Sequence, residues 1–200
     1  MKTICVILAG GASRRMGRDK AELLLSGETF LSRLVRVYSP AFPVYVSVGE
    51  AGKFFCDGAE EIVDLHPGMG PLAGLEAAFC QTDGDAVFLT ATDLPFGTLG
   101  LAQKLLEMLG EADACVIRRA DGQIEPAFGV YRRSCLPAVQ AMLSEDRRAF
   151  RGLFDKVSVR WVEEAELREL PLERLLENVN TPEEYDKARV QVKRHEHAQN

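Results

Sequence analysis

The sequence predicts an α/β fold, a mostly parallel sheet with helices on both of its faces. Two observations carry this. Through the first half of the chain, short apolar runs rich in β-branched residues alternate with segments of helical period, and such alternation lays successive strands parallel with helices crossing over them. The runs TICVILA (3–9) and DAVFLTATD (85–93) are also continuous in apolar character rather than alternating, as expected of strands covered from both sides.

The remaining elements follow in order. AELLLSG (21–27) reads as a short extended segment, and ETFLSRLVRVYS sets Phe30, Leu31, Leu34, Val35 and Tyr38 at helical spacing. PVYVSVG (43–49) is a second strand and EIVDL (61–65) a third. HPGMGPLAG is a Gly/Pro turn cluster leading into a helix over LEAAFCQ. After the fourth strand, DAVFLTATD, the segment LPFGTLGLAQKLLEML breaks and resumes as a helix. ADACVIRRADGQIEPAFGVYRR forms two strands around Asp121-Gly122, a hairpin turn signal. SCLPAVQAMLSED and RRAFRGLFD are helical, VSVRWVE is a strand, and TPEEYDKARVQVKRH is a terminal helix. Thr181 can cap that helix, with Pro182 at its first position and Glu183 and Glu184 in its first turn. No repeat, low-complexity tract or linker interrupts the chain, so residues 1–200 are expected to form one domain.

Composition narrows the class of function. With 46% hydrophobic and 27% charged residues the chain can fill a core and solvate a surface. A net charge of −6 argues against broad binding to nucleic acid or a membrane surface. The five cysteines (Cys5, Cys56, Cys80, Cys115 and Cys135) are scattered, without a C-x-x-C, and read as reduced thiols serving as small apolar residues. The N-terminal apolar run is too short for a signal peptide, and no run approaches the roughly 18 residues needed to span a bilayer. A cytoplasmic location is expected.

Against this acidic background one basic segment stands out. LAGGASRRMGRDK (8–20) directly follows the first strand and holds three glycines, four cations and no aromatic. In parallel sheets ligands bind at the carboxyl ends of strands, which is where this loop begins. Gly10 and Gly11 let the backbone approach a ligand, and successive N–H groups in such a turn form an anion-binding concavity. Ser13 adds a donor, and Arg14, Arg15, Arg18 and Lys20 add charge suited to phosphate. The pattern is neither G-x-x-x-x-G-K-[ST] nor G-x-G-x-x-G, and taken bare it also fits a solvated loop. A second feature decides between these readings. TATDLPF puts Asp93 at the end of a buried strand, on the same sheet edge, where a hard oxygen ligand suits Mg²⁺ bridging phosphates. A turn or N-cap aspartate is the bland alternative. A phosphate cradle and a metal carboxylate on one edge together describe a nucleotidyltransferase.

The motifs LAGGASRRMGRDK, GPLAGL (70–75), TDLP (92–95), EPAFGVYRR (125–133) and NVNTPEEY (178–185) occur in an order that resembles the molybdenum cofactor guanylyltransferases, from Leu8 to about Tyr185. The resemblance implies a Rossmann-like three-layer nucleotidyltransferase fold with a mostly parallel, mixed sheet. It also implies transfer of GMP from GTP to molybdopterin with release of pyrophosphate. By the same resemblance Leu8, Ala9, Gly10 and Gly11 hold the nucleotide, Lys20 its phosphates, Asp93 ligates Mg²⁺ and contacts the nucleotide, and Asp64 contacts the guanine side. Ser47 stands at a strand end where relatives can carry a nucleotide-contacting Asn. Asn178 and Asn180 read by composition as a strand end and a helix cap, and the resemblance turns Asn180 toward the active site. Other proteins of cofactor biosynthesis are expected as partners. The rival readings are the same chemistry with another base or acceptor, and a non-catalytic GTP-binding adaptor.

The chemistry itself asks for positioning and charge neutralisation: an acceptor phosphate attacks the α-phosphorus in line and pyrophosphate leaves. Lys20 and Arg15 are the expected charge stabilisers. No general base is needed, because a phosphate is already ionised near neutral pH, and no histidine is well placed: His66 lies in a turn and His195 and His197 in the tail. For the acceptor, SEDRRAFRGLF offers Arg147, Arg148 and Arg151 where a turn enters a helix, although a solvated helix start reads equally well and cations there are mildly unfavourable. The resemblance favours Arg147 and Arg148 as acceptor contacts.

Overall fold

The computed structural model describes residues 1–9 and 19–198, with side chains through residue 192. Its main sheet is built from β1 (Thr3–Leu8), β4 (Val44–Val48), β5 (Ala59–Val63), β6 (Ala86–Ala91), β7 (Ala114–Arg118), β8 (Ile124–Arg132) and β9 (Val159–Glu163). The order is β5-β4-β1-β6-β8-β7-β9. All neighbours run parallel except β8, which is antiparallel to both β6 and β7. The reversal is the hairpin expected at Asp121-Gly122, where Gly122 takes φ 85°. The sheet is therefore mixed and mostly parallel, as the sequence predicts.

Helices α1 (Phe30–Tyr38) and α3 (Leu99–Met108) cover one face; α2 (Pro71–Gln81) and α4 (Leu136–Ser144) cover the other. The alternation of the pleat divides β1 between them. Cys5 and Ile7 join Leu34, Tyr38, Phe88 and Leu105, while Ile4 and Val6 join Leu72, Leu75, Val87 and Met142. Each fully buried Leu or Phe of this kind contributes about 2 kcal/mol through removal of apolar area from water. All five residues placed at helical spacing in α1 are buried.

Three local expectations change. Residues Lys20–Glu22 form a single 3-10 turn rather than an extended segment, because the Asp19 carboxylate accepts from the Ala21 N–H at 3.1 Å and caps it. Only then does a two-residue strand begin, β2 (Leu24–Leu25), paired with β3 (Glu28–Thr29). Helix α2 starts at Pro71, inside the segment read as a turn, since proline's fixed φ suits a first helical position and Gly70 turns the chain into it with φ 74°. Arg147 and Arg148 precede α5 (Phe150–Phe154) instead of opening it, because the chain stays unwound through Ala149.

The C-terminal helix α7 (Pro182–Ala198) is fastened over β2 by Leu25, Phe30, Phe96, Val179 and Ala188. Tyr185 adds an edge-on contact with Phe30 and a 2.7 Å hydrogen bond to the Leu24 carbonyl. Three of the five cysteines, Cys5, Cys115 and Cys135, are buried, Cys56 is half-buried and Cys80 exposed. Burial pushes the Cys115 and Cys135 thiols up to about 12, so both behave as apolar packing groups.

Candidate active site

The carboxyl ends of three parallel strands meet at one edge. Backbone bonds stitch them there: the Ala9 N–H donates to Ser47 O at 3.1 Å and the Thr92 N–H to Leu8 O at 3.1 Å. One neighbouring strand out, the Asp64 N–H donates to Val48 O at 2.8 Å. A cleft of about 210 Å³ opens over this edge. Leu8, Ala9, Ser47 and Ala91 of the strands line it, together with Asp19 and Lys20 and with Gly68, Gly70 and Pro71. Asp64 and Asp93 project into it, and Ala127 enters from antiparallel β8.

Lys20 is the electrostatic centre of the cleft. Its Nζ donates to Asn180 Oδ1 at 2.5 Å and lies 3.9 Å from Asp93 Oδ2. Asn180 reaches this point because the Val179 N–H donates to the Asp93 carbonyl at 2.9 Å, pairing the NVN segment with the end of β6. The cap of α7 then fixes it: Glu184 Oε2 accepts from the N–H groups of Asn180 (2.6 Å) and Thr181 (2.9 Å), and Thr181 Oγ1 accepts from the Glu184 N–H at 3.2 Å. Burial raises Asp93 above the ordinary carboxylate range, against the opposing pull of Lys20.

An ammonium held between a carboxylate and an amide oxygen marks a point that attracts positive charge. The donors there are hard oxygens, which fit a divalent cation such as Mg²⁺. Among the described residues no group of three or more His, Cys, Asp and Glu side chains could enclose a metal. An ion on Asp93 would thus complete its shell with water and ligand phosphate, which is the usual habit of Mg²⁺.

The opposite side of the cleft is organised around Asp64. Ser47, only 1% exposed, donates its hydroxyl to Asp64 Oδ1 at 2.7 Å. Burial raises the Asp64 carboxyl, Ser47 opposes the shift, and the nearby Glu76 charge adds to it. Glu76, buried on α2, in turn bonds His66 Nδ1 at 2.7 Å and ties the loop after Asp64 to the helix. Helix α2 can come this close because residue 74 is glycine: a Cβ there would stand 2.6 Å from Ser47 Oγ. Glycine in a helix interior costs about 1 kcal/mol relative to alanine, and here the close approach requires it.

Leu8, Ala9, Lys20, Asp64, Asp93 and Asn180 are thus brought together. Gly10, Gly11, Ser13, Arg14, Arg15 and Arg18 lie outside the described residues, as do the side chains of His195 and His197. Arg148 stands at the rim, its Nη1 3.4 Å from the carbonyl of Gly68 and its Nη2 paired with Asp146 at 2.7 Å. Arg147 pairs with Glu145 at 3.4 Å instead, and Asn178 is exposed. Sequence reasoning missed Asp19, which caps the lysine's turn and pairs with Lys53 at 2.7 Å. An Asp directly before a short turn is itself a capping signal. It also missed Gly74, for which no local signal exists.

Residues 5–160 match the model of the MobA-like NTP transferase domain. The chain belongs to this family. Its relatives agree over nearly their full length. A protein of Pelotomaculum thermopropionicum named "Probable molybdenum cofactor guanylyltransferase" is 35% identical over 92% of this chain and 91% of its own. A protein of the same name from Carboxydothermus hydrogenoformans is 34% identical over 90% and 92%. The crystal structure of molybdopterin-guanine dinucleotide biosynthesis protein A from Archaeoglobus fulgidus shares the fold, with a TM-score of 0.82 at 24% identity over 96% of this chain and 99% of that one.

Proposed function

We propose that the chain transfers GMP from GTP to molybdopterin, forming the guanine dinucleotide of the molybdenum cofactor and releasing pyrophosphate. The observation that carries this reading is the Lys20 ammonium set between Asn180 and Asp93 at the carboxyl edge of a parallel sheet, in a chain of the MobA-like family. An oxygen of the acceptor's terminal phosphate forms a bond to the α-phosphorus of GTP, the bond from that phosphorus to the α–β bridging oxygen breaks, and pyrophosphate departs. Lys20 neutralises charge that builds on the triphosphate, with Arg15 of the basic loop as its partner in this role. Leu8 to Gly11 and Ser13 supply backbone and hydroxyl donors to the nucleotide, and Asp64 meets the guanine.

Nucleotidyltransferases are as a rule dependent on a divalent metal. In this chain Asp93 would hold the ion, read as Mg²⁺, which would supply charge screening to the phosphates. The first half of a single unit takes the nucleotide and the second half the acceptor. Among the described residues no helix is long and apolar enough to cross a membrane. Free, mostly buried thiols support a cytoplasmic setting.

The test is pyrophosphate release by the purified protein with molybdopterin and either GTP or CTP. Turnover with GTP and Mg²⁺ is expected. Turnover with CTP alone would assign the cytidylyl reaction, and nucleotide binding without turnover would leave an adaptor.

Arg148, whose Nη1 lies 3.4 Å from the carbonyl of the cleft-lining Gly68, is read with Arg147 as an acceptor contact. Replacing both with Ala is expected to raise the acceptor KM about tenfold while the KM for GTP stays nearly constant, since a charged hydrogen bond is worth about 1.5–3 kcal/mol. Steady-state kinetics with each substrate varied in turn gives the answer. An equal loss for GTP would put these arginines on the triphosphate, and no change in either would return them to solvent.

A further inference from the structure

We propose that Ser47 is a positioning residue that sets the base selectivity of the cleft, its buried hydroxyl holding Asp64 in the one orientation that meets the paired N–H donors of guanine. This rests on the reading of Asp64 as the guanine-side carboxylate.

Ser47 lines the cleft, yet at 1% exposure it offers a ligand almost no surface of its own. Its hydroxyl is spent on Asp64 Oδ1 at 2.7 Å. The pairing is set by the sheet. Ser47 lies opposite Ile62 in the parallel register of β4 and β5, so Asp64 follows two residues later and returns over the strand end toward Ser47. On the other side, α2 presses against the serine at Gly74, where even a Cβ would stand 2.6 Å from Oγ. The serine is therefore clamped, and it clamps the aspartate.

What this accomplishes follows from the chemistry of a carboxylate. The terminal torsion of an aspartate is broad and nearly two-fold, so an unrestrained carboxylate samples many planes. Guanine presents N1–H and the 2-amino group as two parallel donors in one plane, and two parallel hydrogen bonds form only when the carboxylate lies in that plane. Hypoxanthine presents N1–H alone, for which the plane of the acceptor matters far less. A fixed Asp64 thus favours guanine over hypoxanthine, and a freely turning one does so weakly.

The experiment is calorimetric binding of GTP and of ITP, without acceptor, to the unaltered protein, Ser47→Ala, Ser47→Thr and Asp64→Asn, with a thermal melt of each. Ser47→Ala is expected to weaken GTP binding about tenfold and ITP binding only about twofold, so that the preference for GTP shrinks about fivefold. Ser47→Thr keeps the hydroxyl but adds a methyl against α2 at Gly74, so it is expected to melt lower and, where it remains folded, to retain the native preference. In turnover with either nucleotide, Ser47→Ala should raise KM and leave kcat and the acceptor KM in place. An equal loss for both nucleotides, or an unchanged preference in a folded Ser47→Ala, overturns the proposal. Asp64→Asn separates the two levels: if it keeps the native GTP-to-ITP preference, Asp64 is not on the guanine, and the underlying reading falls as well.

Discussion

Lys20→Ala is expected to fold normally and to turn over about 100-fold more slowly. The turn that carries Lys20 does not depend on its ammonium. The Asp19 cap and buried Ala21 hold the backbone, and α7 is fastened by its own apolar cluster and by Tyr185. What is lost is a positive charge, 17% exposed, in a cleft where fixed charge acts more strongly than in water. Loss of one such contact in a transition state commonly costs about 3 kcal/mol. The deficit should fall mainly on kcat, because charge on the departing pyrophosphate develops only as the bond breaks. Lys20→Arg is expected to recover little, since a planar guanidinium cannot take the place of a compact ammonium between Asn180 and Asp93. Pyrophosphate-release kinetics together with a melting curve decide the matter. A stable variant at native rate would remove Lys20 from the site.

The elements read correctly from sequence are those whose cause is local. The continuous apolar runs of β1 and β6, the helical spacing of α1 and the turn residues at Asp121-Gly122 each carry their own signal within a few residues. The errors are equally physical. GPLAGL contains two glycines and a proline, and locally that is a turn. It becomes the first turn of α2 because Gly74 lets the helix close on β1 and β4, a contact with Leu8 and Ser47 far away in the chain. For the candidate cleft, the residue types Lys and Asp and the shared sheet edge of Asp93 with the loop after β1 were legible, since each follows a strand. The direct contacts were not. Lys20 and Asn180 are 160 residues apart and meet only because the NVN segment pairs with the end of β6. Ser47 shows the same limit more sharply: in sequence it is a small polar residue ending a strand, and only the β4–β5 register makes it the partner of Asp64.

Asp93→Asn is expected to lower turnover by about 10³-fold and to weaken its dependence on Mg²⁺, while leaving the fold as stable as before or slightly more so. The first effect follows from removing a negative oxygen at nearly constant shape, so that a cation on Asp93 would lose its carboxylate partner. The second follows from the direction of the Asp93 shift. Burial, larger than the opposing effect of Lys20, raises the carboxyl's pKa in the folded chain above its unfolded value. The folded state therefore binds this proton more tightly than the unfolded state does, and stability falls as pH rises through the interval between the two values. Above the folded value the ionised carboxylate costs stability, and that cost fades as acid protonates it. Asparagine does not titrate, so the variant should melt at or above the native temperature at neutral pH, with the difference shrinking toward acid. Loss of activity by misfolding would move both measurements downward together. A catalytic carboxylate held at the expense of stability moves them in opposite directions. Mg²⁺ titrations of turnover and melting curves at neutral and acidic pH provide both readings, and identical Mg²⁺ curves for the two proteins would place the metal on other residues.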